Sequence, residues 1–556
     1  MTRNANHLAL ALLTFAAVSW AQSGEPTFNW TAVEPSTSLS WVDCYQAPFQ
    51  CARFEVPLNH SQPEDGKTVA IAVIKYPAAA NASTHGGPIF VNPGGPGGSG
   101  IEMVLVGGAL LQKIVGTQFD VVSFDPRGVG SSTPKISVFN TTEEATQFVM
   151  SGVWDLNATS TAIEEEYERY QLFGKMAAER DVDGFLSHVS TGNVAHDMLS
   201  LAEGMGQEKL QYWGLSYGSA LGSTFATMFP VRVLGIGPIY YGSNQVILHI
   251  QDRVGRLIID GCLDMDAYLR NDLKIQMADS DKAMQRFLDG CVAAGPETCP
   301  IHASSSAEIN ANINFLLEGL RTNPVEVKLD SNITIPITYD SLRFVIFSVL
   351  NTPDHYQELA TGLQQLAEGN GSIVAGVFAS TVQNELKTNE AYVAVECSDA
   401  DPLDMGPSEL RRYMAGINST FAGMTAIQSM ARCTGWKIHP ESRFKGPVGA
   451  NTSFPLLVIG NTADPITPLL AAKKNHAAFP GSGLLIQDSP GHTSFAATSA
   501  CTLQAVAAYF ANGTLPEEGT VCPIDQELFP KPGQDEGASS VTKRSLSALL
   551  RRGIFA

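Results

Sequence analysis

Three residues far apart in the chain have the types and local settings that nucleophilic catalysis requires: Ser216, Asp464 and His492. Ser216 is the centre of Gly214-Leu215-Ser216-Tyr217-Gly218, a G-x-S-x-G pattern that means little alone in a chain with 50 glycines. Its setting gives it meaning. Leu210–Gly214 reads as a strand, and the small residues Gly218, Ser219, Ala220, Gly222 and Ser223 read as the start of a helix. The flanking glycines permit a turn too tight for a Cβ, which lifts the serine hydroxyl above the sheet. The helix start beneath it offers N–H donors and a positive dipole end to developing negative charge.

A serine hydroxyl is a poor nucleophile near neutral pH, so it needs a base, and the base needs an orienting acid. His492 lies in Ser489-Pro490-Gly491-His492-Thr493-Ser494-Phe495, just after an expected strand at Leu484–Gln487. Asp464 lies in Asn461-Thr462-Ala463-Asp464-Pro465, just after an expected strand at Phe454–Ile459. Both loops sit at the carboxyl ends of strands, where open sheets of this kind gather their ligands. Most of the other histidines, His60 and His196 among them, read as polar surface residues. The glycine-rich loop Asn92–Gly100 lacks the Lys-Ser/Thr of a phosphate loop and the spacing of a dinucleotide fingerprint. It reads instead as half of an oxyanion hole, with the N–H of Gly95 joined by that of Tyr217.

The elements that must position these residues alternate. Strands are expected at Thr68–Tyr76, Pro88–Asn92, Phe119–Phe124, Leu210–Gly214, Arg256–Asp260, Phe454–Ile459 and Leu484–Gln487, with helical stretches between. That rhythm implies a mostly parallel central sheet covered on both faces. A nucleophile, acid and base in the order Ser…Asp…His on such a sheet is the arrangement of the α/β-hydrolase fold. The first part of this core spans residues 22–261, with 22 to about 66 irregular, and residues 451–530 complete it. Between 262 and 450 the strand rhythm stops, and that stretch is expected to form a largely helical cap inserted over the sheet. Residues 531–556, polar and then basic, are expected to be a disordered tail.

Bulk properties narrow the classes. The 556 residues exceed one ordinary compact domain, and 44% hydrophobic content suffices for a sizeable core. A formal charge of −20 argues against a nucleic-acid partner, because phosphate binding needs a basic face. Residues 1–21 read as a signal peptide: Arg3, the apolar run Leu8–Val18, then Ser19-Trp20-Ala21 as a cleavage site. No later run reaches the roughly 18 apolar residues of a spanning helix, so no membrane partner is expected. Ten Asn-x-Ser/Thr sites agree with export: Asn29, Asn59, Asn81, Asn140, Asn157, Asn332, Asn370, Asn418, Asn451 and Asn512. Eight of nine cysteines fall into local pairs, Cys44–Cys51, Cys291–Cys299, Cys397–Cys433 and Cys501–Cys522, although other connectivities stay open. Cys262 is left over as a buried thiol, and no cysteine–histidine cluster has zinc spacing, so neither metal nor cofactor is expected. The expectation is a secreted serine hydrolase, monomeric by default, acting on a peptide or a small acyl substrate.

Taken together, VNPGGPGGSG, FDVVSFDPRGVGSS, YWGLSYGSALG, GNTADPITPL, SPGHTSF and C…YFANGTLPEEGTVC carry a resemblance across about residues 40–525. The chain resembles the secreted tripeptidyl-aminopeptidase-like family of α/β-hydrolases, related to proline iminopeptidases. The resemblance implies a helical cap, exopeptidase action at a free N-terminus, and Ser216, Asp464 and His492 as the triad. VECSD (395–399) and ARCTGW (431–436) match the family and support the pairing of Cys397 with Cys433. An aminopeptidase must hold an ammonium group near a carboxylate, and Glu396, Asp399, Asp264 and Asp266 are the candidates. The alternatives are an esterase or thioesterase acting on a small metabolite, since the same triad serves both, and a catalytically silent binding protein on this fold.

One segment departs from the family. Relatives run from the nucleophile helix into the next strand as F-P-D-R-V-G-R-L, whereas here Phe229-Pro230 is followed by Val231–Gln251 before Asp252-Arg253-Val254-Gly255-Arg256-Leu257. Valine codons begin GT and glutamine can be CAG, the usual intron boundaries, so residues 231–251 read as a retained intron. The alternative is a surface hairpin inserted in a tolerant loop. Sequencing the transcript is expected to yield messages without the codons for 231–251; a population that always carries them would leave the hairpin.

Overall fold

The computed structural model describes residues 27–79, 84–181, 183–231, 252–328, 334–425 and 430–531. The expected signal peptide, residues 232–251 and the tail from 532 onwards lie outside the described residues.

Twelve strands are described: β1 (Val42–Asp43), β2 (Gln50–Pro57), β3 (Thr68–Tyr76), β4 (Pro88–Asn92), β5 (Asp120–Phe124), β6 (Leu210–Leu215), β7 (Val254–Asp260), β8 (Val325–Lys328), β9 (Thr334–Ile337), β10 (Leu457–Ala463), β11 (Gly483–Pro490) and β12 (Val521–Pro523). Ten of them form one sheet in the order β1-β2-β3-β5-β4-β6-β7-β10-β11-β12. From β5 to β12 every neighbour is parallel, and β1, β2 and β3 add an antiparallel edge. The central strands are apolar and buried throughout, as PIFVN of β4 shows, because helices cover both faces. Helices Gly100–Val115 and Ala500–Asn512 pack on one face through Ile101, Leu111, Val506 and Tyr509. Helices Thr191–Gly204 and Tyr217–Met228 pack on the other through Val194, Met198, Ala220 and Phe225. This is the α/β-hydrolase fold.

Four expectations need correction. Residues 22–66 are not all irregular: β2 pairs along its whole length with β3, from Gln50↔Lys75 to Pro57↔Thr68. Its alternation of buried Phe54 and Val56 with half-buried Arg53 and Glu55 is a strand pattern obscured by flanking Pro and Cys. The strand expected at Phe454–Ile459 runs from Leu457 to Ala463, because Phe454 is exposed and Pro455 has no N–H to give a ladder. The stretch 262–450 is largely helical but contains the hairpin of β8 and β9. Finally, His60 is not a free surface group: its Nε2 is 2.7 Å from Asp197, which also takes two hydrogen bonds from the buried Arg127 of the Asp125-Pro126-Arg127-Gly128 turn.

Over the carboxyl edge of the sheet lies a helical layer built around the 28-residue helix Ser372–Asp399. A disulfide joins Cys397 at its end to Cys433 of the short helix Arg432–Thr434. Helix Ala162–Arg180, which precedes the nucleophile in the chain, packs so closely here that a Cβ on Gly174 would sit 1.9 Å from Gly435 O. Disulfides also join Cys44–Cys51, Cys291–Cys299 and Cys501–Cys522, and Cys262 is free and buried.

The residues flanking segment 231–251 are already neighbours, since Arg253 N–H donates to Phe229 O at 3.3 Å. A chain joined from Pro230 to Asp252 therefore closes without displacing β7 or the nucleophile helix, and a shorter loop costs less closure entropy. A variant lacking 231–251 is expected to fold with a melting temperature at or above that of the full chain, checked by circular dichroism; failure to fold would make the segment integral.

Candidate active site

The turn from β6 into helix Tyr217–Met228 is as tight as its glycines suggest. A Cβ on Gly214 would lie 2.2 Å from Gly218 O, and one on Gly218 would lie 2.9 Å from Asn92 O. Ser216 itself has φ 56° and ψ −123°, a conformation that costs a non-glycine residue about 1–3 kcal/mol and persists only where the surroundings impose it. Here they do. Ser216 N–H donates to Asp260 O at 2.9 Å, and the glycine loop presses from above, where a Cβ on Gly94 would sit 2.9 Å from Ser216 Cβ. Gly94 and Gly95 both have positive φ, and Asn92 Oδ1 accepts the Gly94 N–H at 3.0 Å. Among the described residues, neither the Gly95 N–H nor the Tyr217 N–H is taken by a hydrogen bond.

Asp464 follows β10 directly and His492 lies two residues beyond β11. Their side chains meet: His492 Nδ1 is 2.9 Å from Asp464 Oδ2 and 3.1 Å from Oδ1. Both are buried, Asp464 completely. Burial alone would raise the Asp464 carboxyl, but the His492 imidazole and donors from Thr493 and Thr467 outweigh it and hold the group below its ordinary range. Thr467 is a residue the sequence reading missed. Its N–H donates to Asp464 Oδ1 at 2.8 Å, its hydroxyl donates to Oδ2 at 2.7 Å, and the same hydroxyl is 3.0 Å from His492 Nδ1. The signal was present in Asp464-Pro465-Ile466-Thr467, where an aspartate followed by a turn commonly captures N–H groups two and three residues on. The helical layer also touches the base, because Asn351 O accepts the His492 N–H at 2.9 Å.

Ser216 and His492 are not hydrogen-bonded to each other; His492 Nε2 is buried and has no partner among the described residues. Such contacts are commonly looser without substrate. Beside Ser216 opens a cavity lined by Gly95, Tyr268, Tyr392, Glu396 and Thr467 among others. It brings Glu396 to the nucleophile's side and leaves the other three carboxylates elsewhere. Asp264 caps helix Met265–Leu269 and pairs with Lys474 at 2.7 Å, and Asp266 is exposed beside the same lysine. Asp399 is buried and saturated: it accepts Thr191 N–H at 2.7 Å, Thr191 Oγ1–H at 2.5 Å and Tyr268 O–H at 2.8 Å. Sequence spacing could not separate Glu396 from Asp399, since three residues on a helix leave both near one face.

The fold and this site define the class: an α/β-hydrolase. Residues 87–236, which include Gly95 and Ser216, match the family model described as alpha/beta hydrolase fold. Residues 419–522, which include Asp464 and His492, match the model described as TAP-like protein. The chain is 27% identical to "Serine protease Hip1" of Mycobacterium tuberculosis over 87% of this chain and 91% of that one. It is 24% identical to "Tripeptidyl aminopeptidase" of Streptomyces lividans over 91% and 90%, and 26% identical to "Carboxylesterase B" of M. tuberculosis over 85% and 86%. The chain is a serine hydrolase of the α/β-hydrolase fold, with a TAP-like match in its C-terminal part.

Burial pushes the Asp399 carboxyl up to about 6, against the hydrogen bonds from Thr191 and Tyr268. The unfolded chain releases this proton near pH 4, so the fold binds it more tightly in between, and stability falls as pH rises from about 4 through 6. Asp399→Asn is expected to flatten that part of the profile, read from urea midpoints at stepped pH; an unchanged slope would show that Asp399 titrates normally.

Proposed function

We propose that the protein is a secreted exopeptidase that removes short fragments from free peptide N-termini through an acyl-enzyme. The observation that carries this reading is a cavity shared by the strained Ser216, Gly95, Glu396 and Thr467, the last hydrogen-bonded to the buried Asp464–His492 pair. Ser216 Oγ attacks the scissile carbonyl carbon while His492 Nε2, the ring atom without another partner, takes the proton. Asp464 accepts the Nδ1–H and so keeps the basic lone pair on Nε2. The oxyanion accepts from the N–H groups of Gly95 and Tyr217, which have no other acceptor among the described residues. The C–N bond breaks as His492 returns its proton to the leaving amine; water, deprotonated by the same His492, then attacks the acyl carbon, and the ester bond to Ser216 breaks as His492 gives the proton back to Ser216 Oγ.

Glu396 is the anchor for the substrate ammonium, as the one candidate carboxylate on the cavity wall. The names of the Hip1 and tripeptidyl aminopeptidase relatives support peptide substrates. Four disulfides support an oxidising compartment, and the sequon asparagines among the described residues are all exposed or half-exposed. The similarity to a protein named carboxylesterase favours a second reading, an esterase on the same triad.

Fluorophosphonate labelling is expected in the native chain and not in Ser216→Ala. Free-amino tripeptide anilides are expected to be cleaved and their N-acetylated forms spared. Glu396→Gln should raise KM for the free-amino substrate about tenfold or more, the worth of one charge-assisted hydrogen bond. Equal rates on acetylated and free peptides, or a preference for simple esters, would defeat the exopeptidase reading.

A further inference from the structure

Asp260 ends β7 and is completely buried, one strand over from the nucleophile. The acyl-transfer steps above give it no task, yet a carboxylate in such a place is costly: burial pushes it up to about 6, against hydrogen bonds from Ser494 and Trp213. Its contacts are particular. The main-chain carbonyl accepts the Ser216 N–H at 2.9 Å, so it holds the nucleophile's own backbone. The carboxylate holds the loop of the base instead: Oδ1 accepts Ser494 N–H at 2.9 Å, and Oδ2 accepts Ser494 Oγ–H at 2.5 Å. Ser494 is two residues past His492. The third donor, Trp213 Nε1–H at 3.2 Å, comes from β6, three residues before Ser216. The Trp213 ring in turn packs on Phe495, with ring centroids 5.1 Å apart.

One residue therefore ties the nucleophile strand to the base loop, through its backbone on one side and its side chain on the other. Two loops that approach from different strands have no common covalent frame nearer than the sheet, and the hydroxyl–imidazole distance tolerates little error. We propose that Asp260 is a positioning residue that sets the spacing between Ser216 and His492, a role resting on the reading of those two as nucleophile and base. Asp260 acts through Ser494 and the Ser216 backbone and touches no substrate atom. Trp213 belongs to the same device, because its indole donor occupies the carboxylate oxygen that also receives the Ser494 hydroxyl.

The test uses the full chain and a free-amino tripeptide anilide. Asp260→Asn keeps the shape and one acceptor, but it sets an amide N–H₂ either against Ser494 N–H, in the place of Oδ1, or against Trp213 Nε1–H and the Ser494 hydroxyl, in the place of Oδ2. It is expected to lower kcat about 10- to 100-fold while KM moves less than about threefold, with fluorophosphonate labelling slowed in parallel. Trp213→Phe, which removes the indole donor, is expected to restore part of kcat in the Asp260→Asn background. Ser494→Ala, a milder change that deletes one of the three bonds, should lower kcat several-fold at constant KM, and it keeps the proposal open to refutation where Asp260→Asn does not fold. Wild-type kcat in folded Asp260→Asn or in Ser494→Ala, or an effect confined to KM, overturns the proposal. An active Ser216→Ala sinks the reading beneath it instead, and the two failures are thereby distinguished.

Discussion

The structure depends on how closely the backbone can approach itself around Ser216. Ser216 sits in a positive-φ conformation that a serine adopts only under constraint. Glycines at 214 and 218 let the strand, the turn and the helix occupy a space in which a methyl group would collide with main-chain atoms. The glycine loop after β4 then settles onto this turn, with Gly94 against Leu215 O and the Ser216 side chain. From that contact follows the place of Ser216 beside Gly95 on one cavity wall, with the Gly95 and Tyr217 N–H groups taken by no hydrogen bond among the described residues. The sheet supplies the rigid support, since strands buried on both faces leave the turn no room to relax.

The buried carboxylates around this centre illustrate how similar burial leads to opposite protonation behaviour. Asp464, Asp260 and Asp399 are all buried near one sheet edge. Asp464 is hydrogen-bonded to an imidazole and is held below its ordinary range, whereas Asp260 and Asp399 accept hydrogen bonds from hydroxyl, indole and main-chain N–H groups and are raised. An imidazole in direct contact lowers a buried carboxyl where hydrogen bonds from hydroxyl, indole and main-chain N–H groups do not offset the burial. Asp464 is thereby kept ionised, and Asp260 and Asp399 lie nearer to neutrality.

The helical layer is more than a cover. Its long helix contributes Tyr392 and Glu396 to the cavity, and its end fastens Thr191 and Tyr268 through Asp399. Thr191 Oγ1 in turn accepts the hydroxyl of Tyr217, the residue after the nucleophile. Asn351 fixes the backbone of His492 from the opposite side. The helical layer thus shares hydrogen bonds with the rest of the fold beside both Ser216 and His492.

Local pattern was enough for much of this protein. Glycines flanking a serine between a strand and a helix, and loops carrying Asp464 and His492 at strand ends, are short-range features that backbone sterics and strand periodicity make legible. The same holds for the parallel core and for the local cysteine pairs, which the coordinates bring together. Other features depended on partners distant in the chain. β2 is a strand because β3 pairs with it, and His60 is held by Asp197, 137 residues away. Four acidic residues near the cap were equivalent in sequence. Only packing separated Glu396 on a cavity wall from Asp399 among its donors and from Asp264 and Asp266 beside Lys474. The roles of Thr467 and Asp260 emerged the same way, because a hydrogen bond across strands has no period along the chain and exists only once the sheet has brought its ends together.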